Sequence, residues 1–222
     1  MKSRVITVAV LIVFLAAGVF GIVKRQTYTD ITSESNYLDN LNVALIREKS
    51  VLSCCDLLYK EIKKLPIVLK VECVEEREYV FSAGHQKVRV KEIFKGKELV
   101  KEEEVYLYSG RWGFVFDTQP ISAQVCYQEL MQPGEEYLVC LTGNTVKIYG
   151  EDAIAYEVYG DLLLQPIFLY GEREHVPVEL SESADNTYVP YLNVKGNEMF
   201  SDTVAGYKAW LELKEKLFEI YG

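Results

Sequence analysis

Few of the 222 residues have the type and spacing that catalysis demands. The two histidines, His85 and His175, lack a second His or Cys four residues on, and each stands among polar or turn residues. A solvated ring is the expectation for both. Five cysteines, Cys54, Cys55, Cys73, Cys126 and Cys140, include no C-x2-C pair, so no zinc centre is expected. An odd set cannot pair completely within one chain, and the neighbours Cys54 and Cys55 can join only through a strained ring. One bridge, Cys73 to Cys126 or Cys140, stays open. The simpler reading makes Cys73 and Cys140 small hydrophobes in apolar strands.

Carboxylates come in runs at Glu75-Glu76, Glu102-Glu103-Glu104, Glu135-Glu136 and Glu151-Asp152. Glycoside hydrolysis needs two carboxyl groups about 5–9 Å apart across a cleft, whereas acidic runs beside turns form solvated faces. The chain contains no Gly-x-Ser-x-Gly elbow, no His-Glu-x-x-His, no phosphate-binding glycine loop and no EF-hand loop. No metal or cofactor is therefore expected. One segment suggests binding: Arg111-Trp112-Gly113-Phe114-Val115-Phe116. On one strand face, Trp112, Phe114 and Phe116 can form a platform for a peptide or a sugar ring, with Arg111 supplying charge. The competing reading places the three rings in a barrel core.

The elements that would position these groups begin after a segment of different composition. Val5 to Val23 is a run of 19 uncharged residues, preceded by Lys2 and Arg4 and followed by Lys24-Arg25. At about 1.5 Å per residue it matches the hydrocarbon thickness of a bilayer. An uncleaved transmembrane anchor is expected at 1–26. A signal peptide cut near Ala16-Ala17-Gly18 is the competing reading. Charges on the two flanks favour a cytoplasmic N-terminus slightly, which places the rest outside the cytoplasm at the cell membrane. The net charge is −9, and residues 1–25 carry +4 without one acid, leaving −13 on residues 26–222. Such a domain should avoid nucleic acid and anionic lipid.

With 49% hydrophobic residues, 14 Gly and 6 Pro in all, the chain is neither disordered nor collagen-like. Residues 27–40 form a polar spacer. Apolar residues from Leu41 to Leu65 recur at three or four, predicting an amphipathic helix over 41–64 that Pro66 stops. From Ile67 the period becomes two, through Ile67, Leu69, Val71 and Cys73. A further strand through Val88 and Val90 slips phase at Ile93-Phe94, as a β-bulge would make it. Turns are expected at Lys95-Gly96-Lys97, Gln132-Pro133-Gly134 and Gly143-Asn144. Further strands are expected at Val105–Tyr108, Tyr137–Leu141, Val146–Tyr149 and 153–158. Short strands also fit 162–170 and 188–194. A C-terminal helix begins near Asp202 as N-cap, with a stripe of Trp210, Leu213, Leu217 and Ile220 that Tyr207, Leu211, Phe218 and Tyr221 broaden; it should cover an opening or edge of the sheet.

Between residues 65 and 142 the pieces Leu65-Pro66-Ile67-Val68-Leu69-Lys70-Val71, Val88–Gly96, Glu104-Val105-Tyr106-Leu107 and Pro133-Gly134-Glu135-Glu136-Tyr137-Leu138-Val139 form an ordered set. They resemble the netrin-module and metalloproteinase-inhibitor type of OB-fold. The resemblance implies a small closed barrel whose loops bind a partner. In that family, inhibition of metalloproteinases uses an N-terminal Cys within a disulfide-rich framework; this chain begins with an apolar segment, so inhibition is not carried over. The expected architecture is mainly β with flanking helices (α+β). An OB-like barrel occupies 65–150, and a β-rich extension with a C-terminal helix occupies 151–222. The expected function is that of a single-pass membrane protein whose 41–222 domain binds a protein or peptide without catalysis. The alternatives are a structural component of a membrane complex and a carboxylate-dependent hydrolase.

Overall fold

The computed structural model describes residues 12–22, 37–80, 83–110, 112–115, 122–125, 127–148, 153–176, 178 and 188–222. It divides at Tyr37 into an N-terminal unit and a compact unit, Leu38–Gly222. In the first, residues 12–22 are helical and exposed throughout. Among the described residues no helix is long and apolar enough to cross a membrane. The expected span, 5–23, extends at both ends outside the described residues.

Among the described residues, eleven strands and two α-helices build the second unit. They are β1 (Asn42–Ala44), α1 (Glu48–Ile62), β2 (Ile67–Cys73), β3 (Glu78–Val80) and β4 (Ala83–Lys95), then β5 (Glu104–Ser109), β6 (Trp112–Val115), β7 (Ser122–Val125) and β8 (Glu136–Lys147). After them come β9 (Ile154–Val158), β10 (Ile167–Leu169), β11 (Tyr188–Pro190) and α2 (Val204–Tyr221). Strands β2, β4, β5, β9 and β8 pair in that order and β8 returns to β2, closing a five-stranded barrel. All its pairings are antiparallel except β5 with β9. In chain order the circuit is first, second, third, fifth, fourth, the connectivity expected of an OB-like barrel. β10 adds to β8 outside the circuit, and β11, β1, β7 and β6 form a separate sheet.

Alternation divides each central strand between two cores. Ile67, Leu69, Val71 and Cys73 point into the barrel with Val139 and Leu141, while Val68, Leu138 and Cys140 join the cluster that α1 and α2 cover. In α1 the buried positions Val51, Cys54, Cys55, Leu58 and Ile62 fall on one stripe. In α2 Trp210 stacks on Phe168, ring centroids 4.5 Å apart. α2 therefore covers the outer face of the sheet rather than an opening or edge.

The phase slip in β4 is a real irregularity: Phe94 is skipped between the pairs Val68↔Lys95 and Leu69↔Ile93, and Lys91 between Lys70↔Glu92 and Val71↔Val90. Gly96 makes the next turn at φ +87°, where a Cβ would meet the Pro66 carbonyl oxygen at 2.7 Å.

Several expectations are corrected. The helix expected over 41–64 starts only at Glu48, because Asn42–Ala44 pairs with β11 and β7. Gly143-Asn144 does not separate two strands. β8 runs on through it, bent where Leu141↔Val158 gives way to Thr145↔Tyr156, and Glu157 accepts from Thr142 Oγ1 at 2.8 Å and Asn144 Nδ2 at 2.7 Å. The barrel ends at Val158, past the boundary drawn at 150. Asp202 caps the other helix: its Oδ1 accepts from the Glu48 N–H at 2.9 Å, while Thr203 is the N-cap of α2 and accepts from Gly206 N at 3.1 Å.

Candidate functional site

The residues singled out for binding are only partly within view. Arg111 and Phe116 lie outside the described residues, as do the side chains of Trp112 and Phe114. The backbone places Trp112 and Phe114 in β6 opposite Val125 and Ala123, in the small second sheet and not in the barrel.

Strands β4 and β5 correspond to the second and third of an OB-like barrel, the face such barrels use for oligonucleotides and oligosaccharides. Here a ladder of ion pairs crosses that region. Arg89 reaches Glu104 at 2.9 Å and Glu72 at 3.4 Å, Lys91 reaches Glu72 at 3.1 Å, and Lys87 reaches Glu104 at 3.1 Å and Glu75 at 3.5 Å. Hydrogen bonds from Lys91 and Lys87 lead the effects that hold the Glu72 and Glu104 carboxyls below their ordinary range. Every cation of the ladder already faces a carboxylate, so it offers no unneutralised stripe to a phosphate backbone.

Cavities point elsewhere. A cleft of about 550 Å³ opens between α2 and the segment leaving β10. One wall is a stripe of α2, with Tyr207, Leu211, Lys214, Glu215 and Phe218; the other is Tyr170, Gly171, Glu172 and Arg173. Positions 207, 211, 214, 215 and 218 share one face because they recur at three and four along the helix. Stacked rings mark two places along this face. Tyr170 lies on Phe218 with centroids 4.5 Å apart and planes 5° from parallel, and His175 lies on Tyr207 at 4.2 Å and 12°.

Behind the cleft is a buried polar network. Lys214 Nζ donates to Glu198 Oε2 at 2.7 Å and to the Gly171 carbonyl at 2.8 Å, with side-chain exposures of only 9% and 6% for the pair. The other Glu198 oxygen accepts from Leu169 N–H at 3.0 Å. Arg173 pairs with Glu135, which also accepts from Tyr137 Oη at 2.6 Å. Tyr207 Oη donates to the Arg173 carbonyl at 2.9 Å, holding the segment against the helix. Tyr191 Oη lies 2.8 Å from both oxygens of Glu129, whose pKa burial raises against the pull of that hydrogen bond. Burial pushes the Tyr207 and Tyr170 hydroxyls to about 12.

Both cations of the cleft already have carboxylate partners, Glu198 for Lys214 and Glu135 for Arg173. Among the described residues no three or more His, Cys, Asp and Glu side chains come together as a metal site.

Neither histidine is solvated as expected. His85 is 5% exposed, with Nε2 3.3 Å from Glu78 and its ring edge toward Tyr106. His175 buries both ring nitrogens without a hydrogen-bond partner. Cys54, Cys55, Cys73 and Cys140 are buried free thiols, so the Cys73–Cys140 bridge is not formed; Cys126 lies outside the described residues. Burial pushes Cys55 and Cys73 up to about 12, which removes them as nucleophiles.

The cleft is not legible as a unit in the sequence, although Tyr207, Leu211 and Phe218 fall on the predicted helix stripe. The missed signal is Lys214, a charge set among Trp210, Leu213 and Leu217 on the face that must be buried. Compared with known proteins, the chain matches no family model and no curated sequence.

Proposed function

We propose that the protein is a non-catalytic binding module, an OB-like domain held at the cell membrane by its N-terminal apolar segment and presenting a protein-docking cleft outside the cytoplasm. The observation that carries the reading is the cleft along α2. It is open, walled by aromatic rings, and braced by the buried Lys214–Glu198 pair and the partly exposed Arg173–Glu135 pair, both already satisfied. Rigid aromatic surfaces of this kind suit side-chain capture, since they give contact area at low entropic cost. The 19 uncharged residues at Val5–Val23 support the membrane location. The resemblance of residues 65–142 to netrin-type modules supports a barrel that carries a partner site, without indicating inhibition.

Site-specific photo-crosslinking in intact cells tests the reading. A photoreactive residue at Leu211, in the cleft, should capture a membrane-fraction protein that the same residue at Leu99, an exposed turn position on the barrel, does not. Equal capture from both positions, or none from Leu211, refutes it.

A further inference from the structure

The charges around the cleft define what it can hold. Of the four charged side chains that line it, Lys214 is bound to Glu198 and the Gly171 carbonyl, and Arg173 to Glu135. Neither can serve an anionic ligand without giving up its carboxylate partner, and the Lys214–Glu198 pair is buried. The other two, Glu172 and Glu215, have no ion-pair partner among the described residues. The open part of the cleft therefore presents uncompensated negative charge beside Leu211 and the Tyr207 ring.

Apolar walls with carboxylates complement a long cationic side chain. Its methylenes replace water on the apolar surface and its head keeps a charged partner. The surroundings act in the same sense, because residues 26–222 carry −13 and draw cations toward the surface.

We infer that the cleft receives a Lys or Arg side chain from a basic segment of a protein partner, with the stem along Leu211 and Tyr207 and the charged head meeting Glu172 and Glu215. This rests on the binding-module reading above and gives it a partner chemistry. The volume of about 550 Å³ exceeds what one such side chain fills, leaving room for the flanking residues of a peptide. An acidic peptide is disfavoured on the same grounds, since it would set its carboxylates against Glu172 and Glu215.

The test uses the full chain in detergent micelles and two fluorescein-labelled peptides, acetyl-Leu-Arg-Leu-Lys-Leu-amide and acetyl-Leu-Glu-Leu-Asp-Leu-amide. Binding is followed by anisotropy at about 150 mM salt, where long-range attraction is largely screened. The basic peptide should bind and the acidic one should not. The surface double variant E172Q/E215Q should weaken binding about tenfold or more, whereas E98Q/E103Q, which removes two exposed charges from the barrel, should change it less than about twofold. L211K should abolish it, with circular dichroism confirming the fold of each variant.

No binding of the basic peptide overturns the inference. So does equal weakening by both double variants, which would reduce the effect to the general acidity of the domain. If instead the acidic peptide binds and L211K removes it, the cationic chemistry is wrong while the cleft remains a docking site. If Leu211 also fails to crosslink a partner in cells, the binding-module reading falls with it.

Discussion

His175 rests flat on Tyr207 with neither nitrogen satisfied, a placement that only a neutral ring tolerates. Burial accordingly holds its pKa below the ordinary 6.5. The unfolded chain takes up the proton first as pH falls. The contribution of the neutral stack is therefore complete above about 6.5 and is lost as pH drops through the lower folded value. H175F keeps an aromatic stack and removes the titration, so its urea midpoint should fall less than that of the parent between pH 7.5 and pH 5. Equal losses would show that other groups set the slope. The Lys214–Glu198 pair makes a sharper case. E198A leaves a buried ammonium with a single carbonyl partner and strips the acceptor from Leu169 N–H; a loss of about 3–5 kcal/mol is expected by urea denaturation. The apolar double replacement K214M/E198L should recover most of it, since the penalty lies in the orphaned charge.

At the scale of elements, the two helices start together and cap one another. Asp202 accepts from the Glu48 backbone N–H and pairs with Arg47 at 3.2 Å, and Thr203 Oγ1 donates to Glu48 Oε2 at 2.8 Å. D202A should cost about 1 kcal/mol by removing the α1 cap. T203A should cost more, because it also deprives α2 of its own cap on Gly206. The double variant should fall short of the sum by about 0.5 kcal/mol, measured in a thermal or urea cycle, if the caps act as one unit. The same elements show what a sequence reveals. Period two marked β2, and the slip at Ile93-Phe94 marked a true bulge, because both arise from neighbours along the chain. Asp202 as the cap of a helix more than 150 residues earlier leaves no local trace, so proximity assigned it to the wrong helix. The closing strand β9 reads as a strand in the sequence but not as part of the barrel, since its parallel pairing with β5 joins residues about 50 apart. Half of the cleft wall was legible as a stripe on α2. The other half is a returning segment with no period, and only the tertiary fold brings it to the helix.

The charge of the whole molecule separates two ways of reaching a membrane. A domain could adhere through basic patches, or a chain could be held by apolar insertion. With −13 on residues 26–222 and the barrel ladder internally neutralised, adhesion to anionic lipid is unfavourable for the domain. Under the membrane location proposed above, the anchor is Val5–Val23, because 19 uncharged residues would gain free energy in hydrocarbon that no surface contact of an acidic domain supplies. The full chain should float with vesicles of mixed neutral and anionic lipid on a density gradient and resist alkaline carbonate. A chain lacking residues 5–23 should stay at the bottom of the gradient whether or not anionic lipid is present. Flotation of the shortened chain would locate the membrane contact in the folded domain and refute the division of labour. Loss of the full chain into the carbonate supernatant would show that the apolar segment does not stay in the bilayer, because only embedded segments survive removal of peripheral, charge-mediated contacts.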